Sequence, residues 1–344
     1  MKRKVITRSV WVLALAIIVY AALVIWSDSR KNIATLQAFP WVQMPLILVC
    51  VTVNFLLREL KWDYFRRAAG IAVPRSGSFL VFFSGYSMCI SPGRVGEIIK
   101  PFMYKEYFGQ KMRRTIPLVL CERASDLLGM IVLAAGAAGY FLAGRVQGAD
   151  AGGLGTGLVL GLLVLSAVFM AAVIWLGRQR RLIHAVLEWA GRRPRTRATV
   201  EKFKDLYDAT YPLLTVRNLL ITTTMGSVSW FFECVAFDLI LAGVGAPHTN
   251  LGQAAFVFCM STIFGGLLFF LPGGLGGFES SMAVMLTYLG VPAHQATPAI
   301  FIVRLSTLFY GALLGFVFIL ITSVRYHKRI RWDAVEQAAQ QSED

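Results

Sequence analysis

Residues 76–91 read SGSFLVFFSGYSMCIS, and Pro92-Gly93-Arg94-Val95-Gly96-Glu97 follows directly. The apolar centre, 79–90, is diluted by Ser84, Gly85 and Ser87. A helix needs ~20 apolar residues to cross the hydrocarbon core, so this stretch is too short for a comfortable span. Both of its flanks are basic. Segment 58–75 carries Arg58, Lys61, Arg66, Arg67 and Arg75, and segment 92–114 carries Arg94, Lys100, Lys105, Lys111, Arg113 and Arg114. Cytoplasmic loops collect Lys and Arg. Both flanks are therefore read as cytoplasmic, and the stretch between them as a re-entrant hairpin that enters from that side and returns.

The composition supports a membrane setting. The chain has 344 residues, of which 56% are hydrophobic and only 15% charged, yet its formal charge is +15. Soluble domains run nearer ~45–50% apolar and ~25% charged. A soluble globular protein, a disordered tail protein and a nucleic-acid binder are all poor fits. Six stretches are long and apolar enough to span: 10–26, 41–57, 116–143, 152–176, 218–243 and 299–324. The basic start Met1-Lys-Arg-Lys resembles that of a signal peptide, but the apolar stretch after it is long and Trp26-Ser-Asp-Ser is no cleavage site. The first stretch is expected to be an uncleaved helix.

A second broken segment, 251–291, is interrupted by Leu271-Pro272-Gly273-Gly274-Leu275-Gly276-Gly277. It lies within 244–296, which has no Lys or Arg, so it is read as a hairpin entering from outside. The basic residues outside the two flanks gather at both termini and in 177–217, apart from Arg30, Lys31, Arg123, Arg145 and Arg304. The expected fold is an all-α polytopic membrane protein with six full transmembrane helices and two re-entrant helical hairpins. Both ends are cytoplasmic. About eight conventional spans is the other count.

The two broken segments also match in order. Arg123-Ala-Ser125-Asp-Leu127 follows the first, and Arg304-Leu-Ser306-Thr-Leu308 follows the second. Trp62-Asp63 precedes Gly70 as Phe237-Asp238 precedes Gly245. Three full spans per half make the second copy lie upside down. The halves are 1–145, with its cytoplasm-side hairpin 76–114, and 146–325, with its outside-facing hairpin 251–291. Residues 326–344 form a cytoplasmic tail. Inverted repeats with broken helices are a transporter pattern.

No motif of enzyme chemistry is present: there is no GxSxG, GxGxxG, HExxH or P-loop. The five cysteines include no CxxC pair, so neither a disulfide framework nor a metal site is expected. No cofactor is expected either. The charges inside apolar segments carry the functional expectation, because each costs at least ~2.5–3.5 kcal/mol there. Arg123 and Arg304 are candidate phosphate ligands through the guanidinium fork, with Arg94 as a third. Arg123 and Asp126 are three apart on a helix, so an internal ion pair is the competing reading. Glu97 and Glu279 would carry protons or bind a cationic headgroup, or merely complement a helix dipole. Pro92, Gly93, Gly96, Pro272, Gly273, Gly274, Gly276 and Gly277 are candidate hairpin turns. Their glycines either admit a ligand to the backbone or only make tight turns.

At these residues the sequence resembles the lysylphosphatidylglycerol synthase transmembrane family of flippase-like membrane proteins. The resembling pieces are Ser91-Pro-Gly-Arg-Val-Gly-Glu-Ile-Ile-Lys100, Glu122-Arg-Ala-Ser-Asp-Leu-Leu128 and Leu271-Pro-Gly-Gly-Leu-Gly-Gly-Phe-Glu-Ser280, with Arg304 beyond. The resemblance implies a bacterial inner-membrane protein that moves an anionic, aminoacylated or polyprenyl-phosphate lipid between leaflets. A lipid-modifying transferase is an implied partner. Residues 325–344 are too few for the soluble aminoacyl-transferase domain of bifunctional members, so no enzyme activity is expected. A small-anion transporter and a non-transporting accessory subunit are the alternatives.

Overall fold

The computed structural model describes residues 29–89, 98–145, 179–192, 194–246, 250–267 and 276–326, with isolated positions 161, 164, 168, 171 and 175. Among these residues every regular element is helical. The chain is an all-α membrane protein. Its helices are α1 (Ser29–Ala38), α2 (Met44–Ala68), α3 (Arg75–Ser84), α4 (Ile99–Phe108), α5 (Met112–Arg145) and α6 (Arg180–Ala190). They continue as α7 (Pro194–Thr210), α8 (Val216–Gly243), α9 (Leu251–Leu267), α10 (Gly277–Tyr288), α11 (Ala293–Arg304) and α12 (Tyr310–Arg325). A 3₁₀ turn, Gly85–Met88, follows α3, and a π turn, Leu305–Phe309, joins α11 to α12.

Among the described residues, three stretches are long and apolar enough to cross a membrane: Trp41–Ala68, Val216–Gly243 and Ala293–Arg325. Helix α5 has 34 residues, about 50 Å at 1.5 Å per residue. Its first half is diluted by Arg113, Arg114, Glu122, Arg123 and Asp126. Exposed Leu313, Phe316, Val317, Leu320 and Val324 on α12 form an apolar surface suited to lipid. The expected spans at 10–26 and 152–176 lie outside the described residues, apart from the isolated helical positions.

The ends of the central helices follow from local chemistry. Helix α2 opens on Pro45, whose missing N–H costs nothing in a first turn. It closes at Gly70, φ +64°, where Ile71 N–H reaches back to Arg66 O at 3.1 Å. Helix α8 opens on Thr215, whose hydroxyl accepts from Asn218 N–H at 3.2 Å. It closes at Gly245, φ +72°, with Ala246 N–H on Leu241 O at 2.9 Å. Only glycine takes this left-handed cap without a Cβ penalty, and the same six-to-one bond closes both helices. Further matches follow in order. Gly109 ends α4 as Gly290 ends α10, both with positive φ. Pro117 sits inside α5 as Pro298 sits inside α11.

Helices α2 and α8 pack along each other and run antiparallel. Tyr64, late in α2, donates to Asn218, early in α8, at 2.9 Å. Arg58, earlier in α2, lies over the Trp230 ring, later in α8, 5.3 Å from its centroid. Helix α5 packs on α8 and α9, and α12 packs on α3 and the Gly85–Met88 turn. Two of these seams bring backbone against backbone. A Cβ on Gly129 of α5 would lie 2.7 Å from Ser227 N of α8. One on Gly315 of α12 would overlap the backbone of Tyr86 and Ser87. Outside this bundle, α6 and α7 form a hairpin that rests on α5. Arg180 and His184 of α6 bind Asp208 of α7 at 3.0 and 3.1 Å, while Leu182, Val186 and Trp189 stay exposed.

One expectation is corrected here. Segment 58–75 is not a solvated loop. Helix α2 runs on through Ala68, and Arg58, Lys61 and Arg66 are buried in it. The helix continues because no glycine, proline or turn cluster interrupts it before Gly70, and because buried acids receive each of these cations. Asp63 takes Arg66 at 2.8 Å and Arg67 at 2.7 Å.

Candidate functional site

The two broken helix pairs, α3–α4 and α9–α10, flank a cavity of about 220 Å³. Phe55 and Arg58 come to it from α2, Trp230 and Glu233 from α8. Tyr86, Lys100 and Arg123 enter from the 3₁₀ turn, α4 and α5. Phe258, Thr262 and Gly265 line it from α9, Phe278 from α10 and Arg304 from α11. Thr307 and Leu308 are presented by the π turn. Such turns recur at functional sites because the extra residue redirects the side chains around it.

The charges form two groups. In the larger one, Arg58 Nη2 lies 3.3 Å from Glu122 Oε1 and 3.2 Å from Asp126 Oδ2. Lys100 Nζ reaches Glu122 Oε2 at 2.6 Å, and Lys61 pairs with Asp126. Arg123 lies 3.2 Å from Glu122 and 3.6 Å from Asp126. Trp230 Nε1–H adds a bond to Asp126 at 3.2 Å. Lys61, Glu122 and Asp126 are almost wholly buried, so each depends on its partners. Among the described residues, four cations thus share two carboxylates. Aromatic faces also meet two of these cations. Lys100 Nζ sits 4.6 Å from the Trp62 and Phe82 centroids, and Arg58 lies over both Tyr86 and Trp230.

The smaller group is simpler. Arg304 Nε donates to Glu279 Oε1 at 2.7 Å, with its guanidinium 4.1 Å from the Phe278 centroid. Glu279 Oε2 accepts the Gly276 N–H at 2.8 Å. Gly276, at φ +88°, begins α10. One carboxylate therefore both caps α10 and holds the arginine.

Of the expected site residues, Arg123 and Arg304 face the same cavity. Asp126 and Glu279 lie behind them as anchors. The pairing of Arg123 with Asp126 exists, but Asp126 is held as closely by Arg58 and Lys61. Arg94, Glu97, Pro92, Gly93, Gly96, Pro272, Gly273 and Gly274 lie outside the described residues; Gly276 and Gly277 start α10. Sequence reading missed Arg58, Lys61, Lys100 and the aromatic lining. The spacing Arg58, Lys61, Phe65, one helical face with no breaker between, was the available signal for the first two.

Two buried donors here have no acceptor among the described residues: Arg58 Nε and the Tyr86 hydroxyl. A buried donor left unsatisfied costs about 1–3 kcal/mol. Among the described residues, the cavity lining thus holds more cations than carboxylates, together with two donors that lack an acceptor. Residues 11–315 match the family described as the lysylphosphatidylglycerol synthase TM region. Two UPF0104 membrane proteins of Methanothermobacter thermautotrophicus are similar over most of their length. One is 24% identical over 326 residues, 89% of this chain and 91% of the relative. The other is 24% identical over 291 residues, 78% of this chain and 83% of the relative. The chain belongs to the lysylphosphatidylglycerol synthase transmembrane-region family.

Proposed function

We propose that this membrane protein translocates a lipid with a phosphate headgroup between leaflets. The anionic, aminoacylated and polyprenyl-phosphate lipids all share that group. The observation that carries the reading is the cavity, where Arg58, Lys100, Arg123 and Arg304 converge beside Arg58 Nε and the Tyr86 hydroxyl, donors that lack an acceptor among the described residues. Guanidinium offers phosphate a paired fork. Glycines 265 and 266, Phe258, Phe278 and Leu308 give the cavity a side lined by small and apolar groups, suited to acyl or prenyl chains.

The architecture behind the proposal is an inverted repeat of 1–145 and 146–325. It has six full spans, and its hairpins 76–114 and 251–291 are re-entrant. The antiparallel packing of α2 on α8, the matched caps Gly70 and Gly245, and the matched prolines Pro117 and Pro298 support it. Broken helices meeting near the midplane are where such folds bind substrate. We place the protein in a bacterial inner membrane with both termini cytoplasmic, acting beside a lipid-modifying transferase. It does no chemistry of its own in this reading. Single cysteines at Lys105 and Arg195, in a cysteine-free background, label only from the cytoplasm. External labelling of position 105 alone would make 76–91 a full span and remove the repeat.

A second reading has support in the cavity's size. About 220 Å³ holds a free phosphate as readily as a headgroup. Reconstitution decides between them. Proteoliposomes carrying a tail-labelled phosphatidate expose it to an outside quencher faster than protein-free vesicles, without taking up radiolabelled inorganic phosphate. Uptake of phosphate with no lipid movement assigns the protein to soluble anions instead.

A further inference from the structure

Among the described residues, five charged side chains line the cavity, and one differs from the rest. Arg58, Lys100, Arg123 and Arg304 each contact a carboxylate. Glu233 is 4% exposed, and among the described residues it accepts no hydrogen bond and enters no ion pair within 4 Å. Its electrostatic neighbours are Arg58 and Asp126. Each helix packed on α8 brings its own groups. Helix α2 supplies Arg58 and Lys61, and α5 supplies Glu122, Arg123 and Asp126. Helix α11 brings Arg304 with its partner Glu279 on α10, and the 3₁₀ turn brings Tyr86. Helix α9 carries no charge and sets Cys259 against Cys234 at 3.7 Å.

A proton on Glu122, Asp126 or Glu279 breaks an existing ion pair. A proton on Glu233 breaks none. Arg58 faces the cavity, where its charge is met either by ionised Glu233 or by an arriving phosphate. Both anions in one low-dielectric cavity repel each other. We infer that Glu233 is a proton-binding site that exchanges with the substrate phosphate. It is ionised beside Arg58 before the phosphate arrives, and it takes up one proton from solvent as the phosphate binds. Phosphate and proton then occupy the cavity together and cross together. The inference rests on the translocator reading and adds its energy coupling: a proton gradient drives the lipid.

The test uses the full wild-type chain in detergent. It is titrated calorimetrically with dihexanoyl phosphatidic acid and, separately, with inorganic phosphate, in buffers of different ionisation enthalpy. The difference between buffers counts protons taken up. Wild type takes up about one proton more than Glu233→Gln, and its affinity for phosphatidate falls up to about tenfold per pH unit relative to that variant. The sign follows because the bound form holds the extra proton. The phosphate's own titration is common to both proteins and cancels. Glu233→Asp keeps an acid and keeps the uptake.

Equal proton counts in wild type and Glu233→Gln overturn the inference and leave the translocator reading standing. Failure of wild type to bind phosphatidate overturns both. Inorganic phosphate bound as tightly, with the same proton count, upholds the proton site and replaces the lipid with a soluble anion. Should Glu233→Gln fail to fold, wild type and Glu233→Asp decide alone. An affinity that varies with pH only as the phosphate itself titrates overturns the inference.

Discussion

Asp126→Ala destabilises the protein by about 3–5 kcal/mol, the cost of leaving a buried charge without its partner. Asp126 is 2% exposed and is held by Arg58, Lys61 and Trp230, with Arg123 at the edge. Lys61 is wholly buried, and Asp126 is its only carboxylate within 4 Å among the described residues. Once Asp126 is gone, its ammonium has no counter-charge in contact. Thermal unfolding in detergent measures the loss. Lys61→Met combined with Asp126→Leu removes one charge of each sign and fills the space with apolar atoms, so it recovers most of the stability. A single Asp126→Ala variant as stable as wild type would show that these charges are solvated in a way the geometry does not allow.

Arg123→Lys has the opposite profile, with little change in stability and a large loss of transport. The Arg123 side chain is 29% exposed, against 6% for Arg58 and Lys100 and 9% for Arg304. It is the cavity cation most open to a ligand, and its contacts with Glu122 and Asp126 are partly solvated. Ion pairs of that kind contribute about 0–1 kcal/mol. Lysine keeps the charge and loses the bidentate fork. Proteoliposome transport of a phosphate lipid falls about tenfold or more, which corresponds to ~1.4 kcal/mol. Full transport by Arg123→Lys, in a folded protein, would reduce Arg123 to a point charge with no part in phosphate geometry.

Part of this site was legible in the sequence, and the rest was hidden for one physical reason. Arg123, Glu279 and Arg304 stand out because charge inside an apolar run is costly. Arg58, Lys61 and Lys100 stood in clusters of other basic residues next to an apolar run, and such clusters usually mark a cytoplasmic loop. The rule weighs charge and not continuity of the helix. Here α2 carries its basic residues past the apolar stretch and into the protein, where Glu122 and Asp126 on a distant segment neutralise them. No local pattern reveals a partner 64 residues away. The opposite holds for the matched glycines and prolines. Caps and breakers are local, so their repetition at Gly70 and Gly245, and at Pro117 and Pro298, was readable in principle from the chain alone.

The glycine seams have a mechanical consequence. Where Gly129 meets Gly226 and Ser227, and Gly315 meets Tyr86 and Ser87, main chain lies on main chain. An interface of side chains can yield by rotamer changes, each absorbing a fraction of an ångström. Bare backbone has no such compliance and either stays in register or separates. The first seam fastens α5 to α8, and the second fastens α12 to the turn after α3. Each joins elements far apart in the chain into one stiff member. Strain raised at the cavity would therefore pass along these members and collect where packing is side chain on side chain.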